Sequence, residues 1–296
     1  MSVLVNIYRK VLPESLRYKI LRWRTAGRLN RLKTRILEYY KKNPSGDSEL
    51  NEALVFLRKN PLTVFPYEFS KKYNPQNIQV LRDDSTGLSY VMHGSHKLYF
   101  KKGLTPEQIR HMYSFLLCEQ DPGSPHCYLD KDFSLGKNAV LADVGCAEGI
   151  FSLMNIEKVK EVVLFEADSD WIEALEQTFQ PWKEKVTLVN KFVSDASLNK
   201  FISLDDYFRT KKIDFLKIDV DGAEDELLKG AQELITKSKL QIALCTYHKQ
   251  GDAEKFNMFL QKFNYKTSFS KNYMLFYFDD HFEPPYFRKA LLRASN

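Results

Sequence analysis

Five apolar runs separated by turn- and helix-length segments predict an α/β protein built on an open, mostly parallel sheet with helices on both faces. The runs are Val140–Ala142, Val162–Phe165, Val186–Val189, Ile213–Ile218 and Leu240–Cys245. Each is followed by polar residues, and such sheets bind ligands just beyond the carboxyl ends of their strands. The first run leads into Asp143-Val-Gly145-Cys146-Ala-Glu-Gly149, after which Ile150, Phe151, Leu153 and Met154 start a helical pattern. Strand, tight glycine turn and helix start together form a ligand cradle: glycine lets the backbone come close, and a helix start offers free N–H groups. The spacing is G-x-x-x-G after an acid, not the G-x-G-x-x-G of dinucleotide folds.

The second run ends in Glu166, placed to accept hydrogen bonds from ribose hydroxyls. The third precedes Phe192-Val-Ser194-Asp195. The fourth ends in Asp219-Val-Asp221-Gly-Ala-Glu224, and the fifth in Thr246-Tyr-His248.

The turn at Asp143–Gly149, Glu166, and the segment Leu216-Lys-Ile-Asp-Val-Asp-Gly-Ala-Glu224 with Leu228-Lys-Gly230 resemble the FkbM-type methyltransferases, over about residues 139 to 280. The family's usual Asn in its Gly-Ala-Asn-x-Gly turn is Glu148 here. The resemblance implies a class I methyltransferase fold, a Rossmann-like seven-stranded sheet. It also implies S-adenosylmethionine as cofactor and O-methylation of a sugar or natural product, as in bacterial surface-polysaccharide loci. On that reading Asp143 orients the turn or the cofactor's aminoacid part, and Gly145, Cys146 and Gly149 form the close-approach turn. Glu166 takes the ribose, and Ser194 with Asp195 stands where class I enzymes contact adenine.

The 296 residues suffice for one large domain with extensions, and the composition is that of an ordinary soluble protein. No apolar stretch reaches the roughly 20 residues of a membrane span, and the first ten residues lack the parts of a secretory signal. Cys118, Cys127, Cys146 and Cys245 show no C-x-x-C pairing and are read as reduced thiols in a cytoplasmic protein. Net charge is +6, but residues 1–42 carry twelve Lys or Arg against two Glu, which leaves −4 for the rest. A basic arm on a mildly acidic body suits an anionic membrane surface, nucleic acid or an acidic partner.

That arm, residues 1–45, is helical by pattern. Val3, Leu4, Ile7, Tyr8, Val11 and Leu12 form a stripe, Pro13 interrupts it, and Leu16, Ile20, Trp23, then Leu29, Leu32 and Ile36 after Gly27, continue it. A basic amphipathic helix lies in a lipid interface or packs its stripe on the body or on a second subunit.

A cap region, residues 46–135, follows. It holds a helix over Glu49–Lys59 and three alternating strands at 78–81, 88–92 and 97–100. Thr105-Pro-Glu-Gln108 then starts a helix with a capping box. The loop Asp121–His126 either covers the cofactor, with Glu119 and His126 facing the site, or is a surface connection. The methyltransferase domain, residues 136–281, continues with helices at 171–179, 204–208, 223–235 and 253–263. A final hairpin of Tyr265–Ser268 and Met274–Phe278 closes it. The tail 282–296 reads as a basic, helix-like end without an assigned role.

Methyl transfer is an in-line displacement from an activated sulfonium, so the protein supplies positioning and, for an alcohol, a base. His248, Asp219 and Asp221 are the candidates, and His248 is the best unperturbed base at neutral pH. Asp219, Glu224 and His248 also offer the donor set of a divalent metal, a reading that their irregular spacing disfavours. Glu224 alternatively charges a helix start. The acceptor is expected to be a glycan or small-molecule hydroxyl. The alternatives are a nucleic-acid methyltransferase, which lacks an Asn-Pro-Pro-Tyr type of motif, and a non-catalytic membrane-attached scaffold retaining the fold.

Overall fold

The computed structural model describes residues 14–279 and 281–296, with side chains from Gly27 onward. Helix α1 (Glu14–Lys42) runs on through Gly27. The pattern continues past it as expected: one glycine costs a helix interior about 1 kcal/mol, too little to break a helix held by tertiary contacts. Of the apolar stripe, Val3–Leu12 lies outside the described residues, as do the side chains of Leu16, Ile20 and Trp23. Farther along, Ile36 and Tyr40 are buried against Leu54 and Leu57 of α2 (Ser48–Lys59) and against Leu275, Tyr286 and Phe287. The stripe of the helix's second half is therefore covered by the body.

In the cap, β1 (Leu81–Arg82), β2 (Ser89–His93) and β3 (His96–Phe100) form an antiparallel sheet. The first strand starts later than its expected 78–81, because a 3₁₀ turn at Pro75–Asn77 still shapes the chain there. Helix α3 (Pro106–Glu119) carries the expected capping box of Thr105 and Gln108. The cap shares one core with the rest: Leu98 and Phe100 are buried with Leu175 and Phe179, and Tyr99 N donates to Thr178 Oγ1 at 3.0 Å.

The main sheet follows the order β11-β12-β10-β9-β4-β5-β6. Its parallel part is β4 (Val140–Val144), β5 (Glu161–Phe165), β6 (Val186–Val189), β9 (Phe215–Ile218) and β10 (Gln241–Cys245). Between them lie α4 (Ile150–Asn155), α5 (Ile172–Phe179), the short pair β7 (Phe192–Val193) and β8 (Phe201–Ile202), and α6 (Leu204–Tyr207). After β9 the expected helix 223–235 is two helices, α7 (Glu224–Lys229) and α8 (Gln232–Lys237), parted where the Ser194 carbonyl crosses close to Gly230. Helix α9 (Asp252–Lys262) and strand β11 (Lys266–Phe269) follow.

The seventh strand corrects the sequence reading. Met274–Phe278 is not a strand; Met274 makes a lone bridge with Arg288. The tail instead supplies β12 (Leu291–Ser295), antiparallel between β10 and β11. Its Leu-Leu-Arg-Ala is helix-prone locally, but Leu291 fills one face of the sheet and Leu292 and Ala294 the other. Arg293 is buried with its charge on Asp130 and its donors on the Cys127 and Tyr128 carbonyls. The boundary expected at residue 281 therefore disappears. Two apolar layers sandwich the sheet, with Leu141, Leu164 and Phe215 on one side and Ala142, Val163 and Leu216 on the other.

Candidate active site

Register builds the site. Val144 pairs with Phe165 on one side and Ile218 on the other. The next residues, Gly145, Glu166 and Asp219, therefore share one carboxyl edge. All three line a cleft of about 280 Å³ that also exposes Asp168, Trp171, Phe192 and Asp221.

Gly145 adopts φ +71°, and a Cβ there would lie 1.8 Å from the Asp219 carbonyl oxygen, so only glycine lets the two strand tips meet. Beneath them Lys217 is buried, with Nζ 3.0 Å from Asp143 Oδ1 and donating to the Gly145 carbonyl at 2.6 Å. Burial opposes its charge, but Asp143 and Asp219 outweigh it and hold the ammonium above its usual range. Asp143 Oδ2 accepts from Ser152 at 2.7 Å. Asp143 is thus a strut under the turn and does not reach the cleft.

Glu166 accepts from Ala147 N at 2.8 Å and Asp168 N at 2.7 Å, which ties β5 to the glycine turn. A carboxylate has about four lone-pair positions, so two remain for a ligand. Burial raises its pKa, with the two backbone donors acting against that.

Around Asp219 the chain gathers four polar rings. The hydroxyls of Tyr128 and Tyr247 donate to its two oxygens at 2.8 and 3.1 Å. His126 Nε2 stands 3.5 Å from Oδ2 and His248 Nε2 3.6 Å from Oδ1. Burial opposes ionisation of Asp219, but His126, Lys217 and His248 hold the carboxyl well below its usual range. His126 is buried, with its pKa raised: burial works against the charge, and the carboxylates of Glu119 and Asp219 override it.

His248 has two distinct edges. Nδ1 lies 2.8 Å from Glu224 Oε1, inside ion-pair distance though off the line of a hydrogen bond. Nε2 has no hydrogen-bond partner and faces Asp219 and Asp221, the latter also at 3.6 Å. Burial lowers its basicity, while Glu224, Asp219 and Asp221 more than restore it, so its pKa lies above the ordinary value. Glu224 is fixed by the N–H groups of Val220 and Gly222.

One ligand atom each from Asp219, Glu224 and His248 lies within 4.8 Å of the others. In this structure Glu224 Oε1 stands nearest Nδ1 of the imidazole and Asp219 Oδ1 nearest Nε2. His126, Asp219 and Cys245 form a second donor group of the same span. Cys245 is fully buried there, and burial pushes its thiol far up.

Residues 113–267, just over half of the chain, match the Methyltransferase FkbM domain. The chain belongs to the FkbM methyltransferase family. Its domain is accordingly of the S-adenosylmethionine-dependent class I kind. The FkbM methyltransferase of Methylobacillus flagellatus KT is similar in structure, with TM-score 0.47 and 14% identity over 84% of this chain and 62% of that one. This chain therefore spans less than two thirds of that relative's length. A precorrin-6y C5,15-methyltransferase of Geobacter metallireducens GS-15 gives TM-score 0.39 and 13% identity over 55% and 82% of the two chains. Sp1610 of Streptococcus pneumoniae, solved with S-adenosyl-L-methionine, gives 0.38 and 13% over 54% and 67%. No match was found among curated proteins.

Within this FkbM domain the expected cofactor residues divide. Gly145 and Glu166 line the cleft, as do Asp219 and Asp221 of the base candidates. Cys146 is buried in the core, and the missing Cβ of Gly149 faces the Phe179 and Leu175 side chains, so these two shape the turn from behind. Ser194 and Asp195 stand outside the lining, because their backbone is turned to pack on Gly230; Lys191, Phe192 and Val193 line the cleft instead. Burial pushes the carboxyl of Glu148 up to about 8, so at the family's Asn position this FkbM chain carries a largely uncharged acid at neutral pH. Tyr128, Tyr247 and Lys217 were not singled out in the sequence. A tyrosine beside a strand-end histidine, and a lysine inside an apolar strand, were the available signals.

Proposed function

We propose that the protein transfers a methyl group from S-adenosylmethionine to a hydroxyl of a glycan or glycolipid precursor, with His248 as general base. One observation carries the reading: His248 does not itself line the cleft, but its Nε2 has no hydrogen-bond partner and stands 3.6 Å from Asp219 and Asp221, which do, while the Glu224 carboxylate lies 2.8 Å from Nδ1. A carboxylate beside one nitrogen stabilises the imidazolium formed when the other takes a proton. Asp219, kept ionised, would supply negative charge near the sulfonium and orient the acceptor hydroxyl. Glu166 would take the ribose with its remaining lone pairs, and Phe192 with Val193 would pack on the adenine. The bound cofactor supplies the activated methyl group; the chain's own work is to position the acceptor and remove its proton.

The test is a methyl-transfer assay over a panel of cell-envelope sugars with wild-type protein and His248→Ala. Turnover about 10²–10⁴-fold lower in the variant, with cofactor affinity nearly unchanged, is expected for loss of a general base. Wild-type turnover by His248→Ala across pH 6 to 9 would remove His248 from the role.

Residues 1–42 are proposed to add a peripheral contact with anionic membrane. Their twelve basic residues support this, and no described helix is long and apolar enough to cross a bilayer. Deleting the arm should reduce retention on anionic vesicles at low salt.

A further inference from the structure

A second cavity lies away from the cofactor cleft, about 380 Å³ in volume, between α1 and the residues Tyr277, Asp279 and Phe282. Arg28, Arg31 and Arg35 line it from α1. Their spacing of three and four residues sets all three guanidinium groups on one helix face. Leu32 and Phe282 add apolar wall, and Tyr277 adds a hydroxyl.

Among the described residues Asp279 is the one acid in this lining, and it is already neutralised. Arg288, itself buried, places a guanidinium nitrogen 2.5 Å from it. The three arginines of α1 therefore leave the described lining with an excess of positive charge. Guanidinium forks match the oxygen geometry of a phosphate, which they bind in bidentate fashion.

A chain of contacts runs from the cavity wall to His248. Arg288 donates to the carbonyls of Tyr247 and His248 at 2.6 and 2.9 Å, so the residue that neutralises Asp279 also holds the base's backbone. The Phe276 ring stands 5.6 Å from the His248 ring. Asp279 follows Phe276 by three positions, a span of at most about 11 Å.

We propose that Arg28, Arg31 and Arg35 hold a phosphate ester carried by the methyl acceptor, so that the substrate is a phosphorylated glycan precursor. This rests on the hydroxyl-methylation reading and specifies its substrate class. An anionic lipid headgroup presents the same phosphate chemistry, and the experiment separates the two sources.

Full-length protein and an Arg28→Gln/Arg31→Gln/Arg35→Gln variant are titrated calorimetrically with pyrophosphate and with a hexose 1-phosphate, then sedimented with phosphatidylglycerol vesicles. S-adenosylmethionine is titrated into both. The expected result is hexose 1-phosphate and pyrophosphate binding at least tenfold weaker in the variant, with cofactor affinity and melting temperature unchanged. An Arg31→Lys variant, which keeps charge but loses the fork, should fall between. Equal binding in wild type and triple variant, or none in either, overturns the proposal. Vesicle retention that depends on these arginines without hexose 1-phosphate binding also overturns it, in favour of a lipid headgroup. Failure of wild type to bind S-adenosylmethionine would sink the methyltransferase reading instead, so the two failures are distinguishable.

Discussion

Lys217→Met removes the cation beneath the cofactor turn. The side chains of Lys217 and Asp143 are about 5% and 1% exposed, so solvent cannot replace the lost partner. Removing one member of a buried ion pair typically costs about 3–5 kcal/mol, because the other charge stays uncompensated. The Gly145 carbonyl loses its 2.6 Å donor as well, and that carbonyl sits at the cleft edge. At roughly 2–4 °C per kcal/mol for a chain of this size, melting should fall by about 6–20 °C. Cofactor affinity should weaken with it, since the turn is no longer anchored from below. The assay is thermal and urea unfolding of Lys217→Met, Asp143→Leu and the double variant, each with a cofactor titration. The double variant should recover much of the loss, because two apolar groups leave no orphan charge. Additive losses in the double variant, or a single variant within about 0.5 kcal/mol of wild type, would refute the strut assignment.

Glu166→Ala should weaken S-adenosylmethionine binding by roughly 1–3 kcal/mol in titration calorimetry, through loss of charge-assisted hydrogen bonds to the ribose. On the proposed reading His248 acts as a base only when neutral, and its pKa lies above the ordinary value. Activity should therefore fall as pH drops through that raised value, giving an acid limb above the ordinary histidine pKa. Glu224→Gln removes the charge at Nδ1, so in a pH–rate profile the limb should move to lower pH while the maximal rate declines. Gly145→Ala must open the meeting of β4 and β9, since its Cβ would sit 1.8 Å from the Asp219 oxygen; circular-dichroism melting and cofactor titration should both show the loss. A chelator should leave turnover unchanged if His248 works as a base, and activity lost to it and restored by Mg or Mn would reassign His248 and Asp219 as ligands.

Much of the sheet was legible because its parallel strands are apolar on both faces and read as continuous runs bounded by polar tips. The glycine turn, Glu166, Asp219 and His248 could be placed on one edge from those tips alone, because parallel strands in register end together. The sequence by itself determined the fold class and the strand-tip edge on which these residues stand. Only tertiary structure decided that residues 291–295 form the antiparallel strand between β10 and β11, since their local propensity is helical and the apolar faces that select a strand come from the folded sheet. It also decided which charges are neutralised. His126, Tyr128 and Tyr247 meet Asp219 across as many as 93 residues of chain, and Glu224 reaches His248 from another strand's end. Such contacts have no spacing in the sequence, because the energy that selects them is the cost of leaving a buried charge unpartnered, which appears only once the chain is folded.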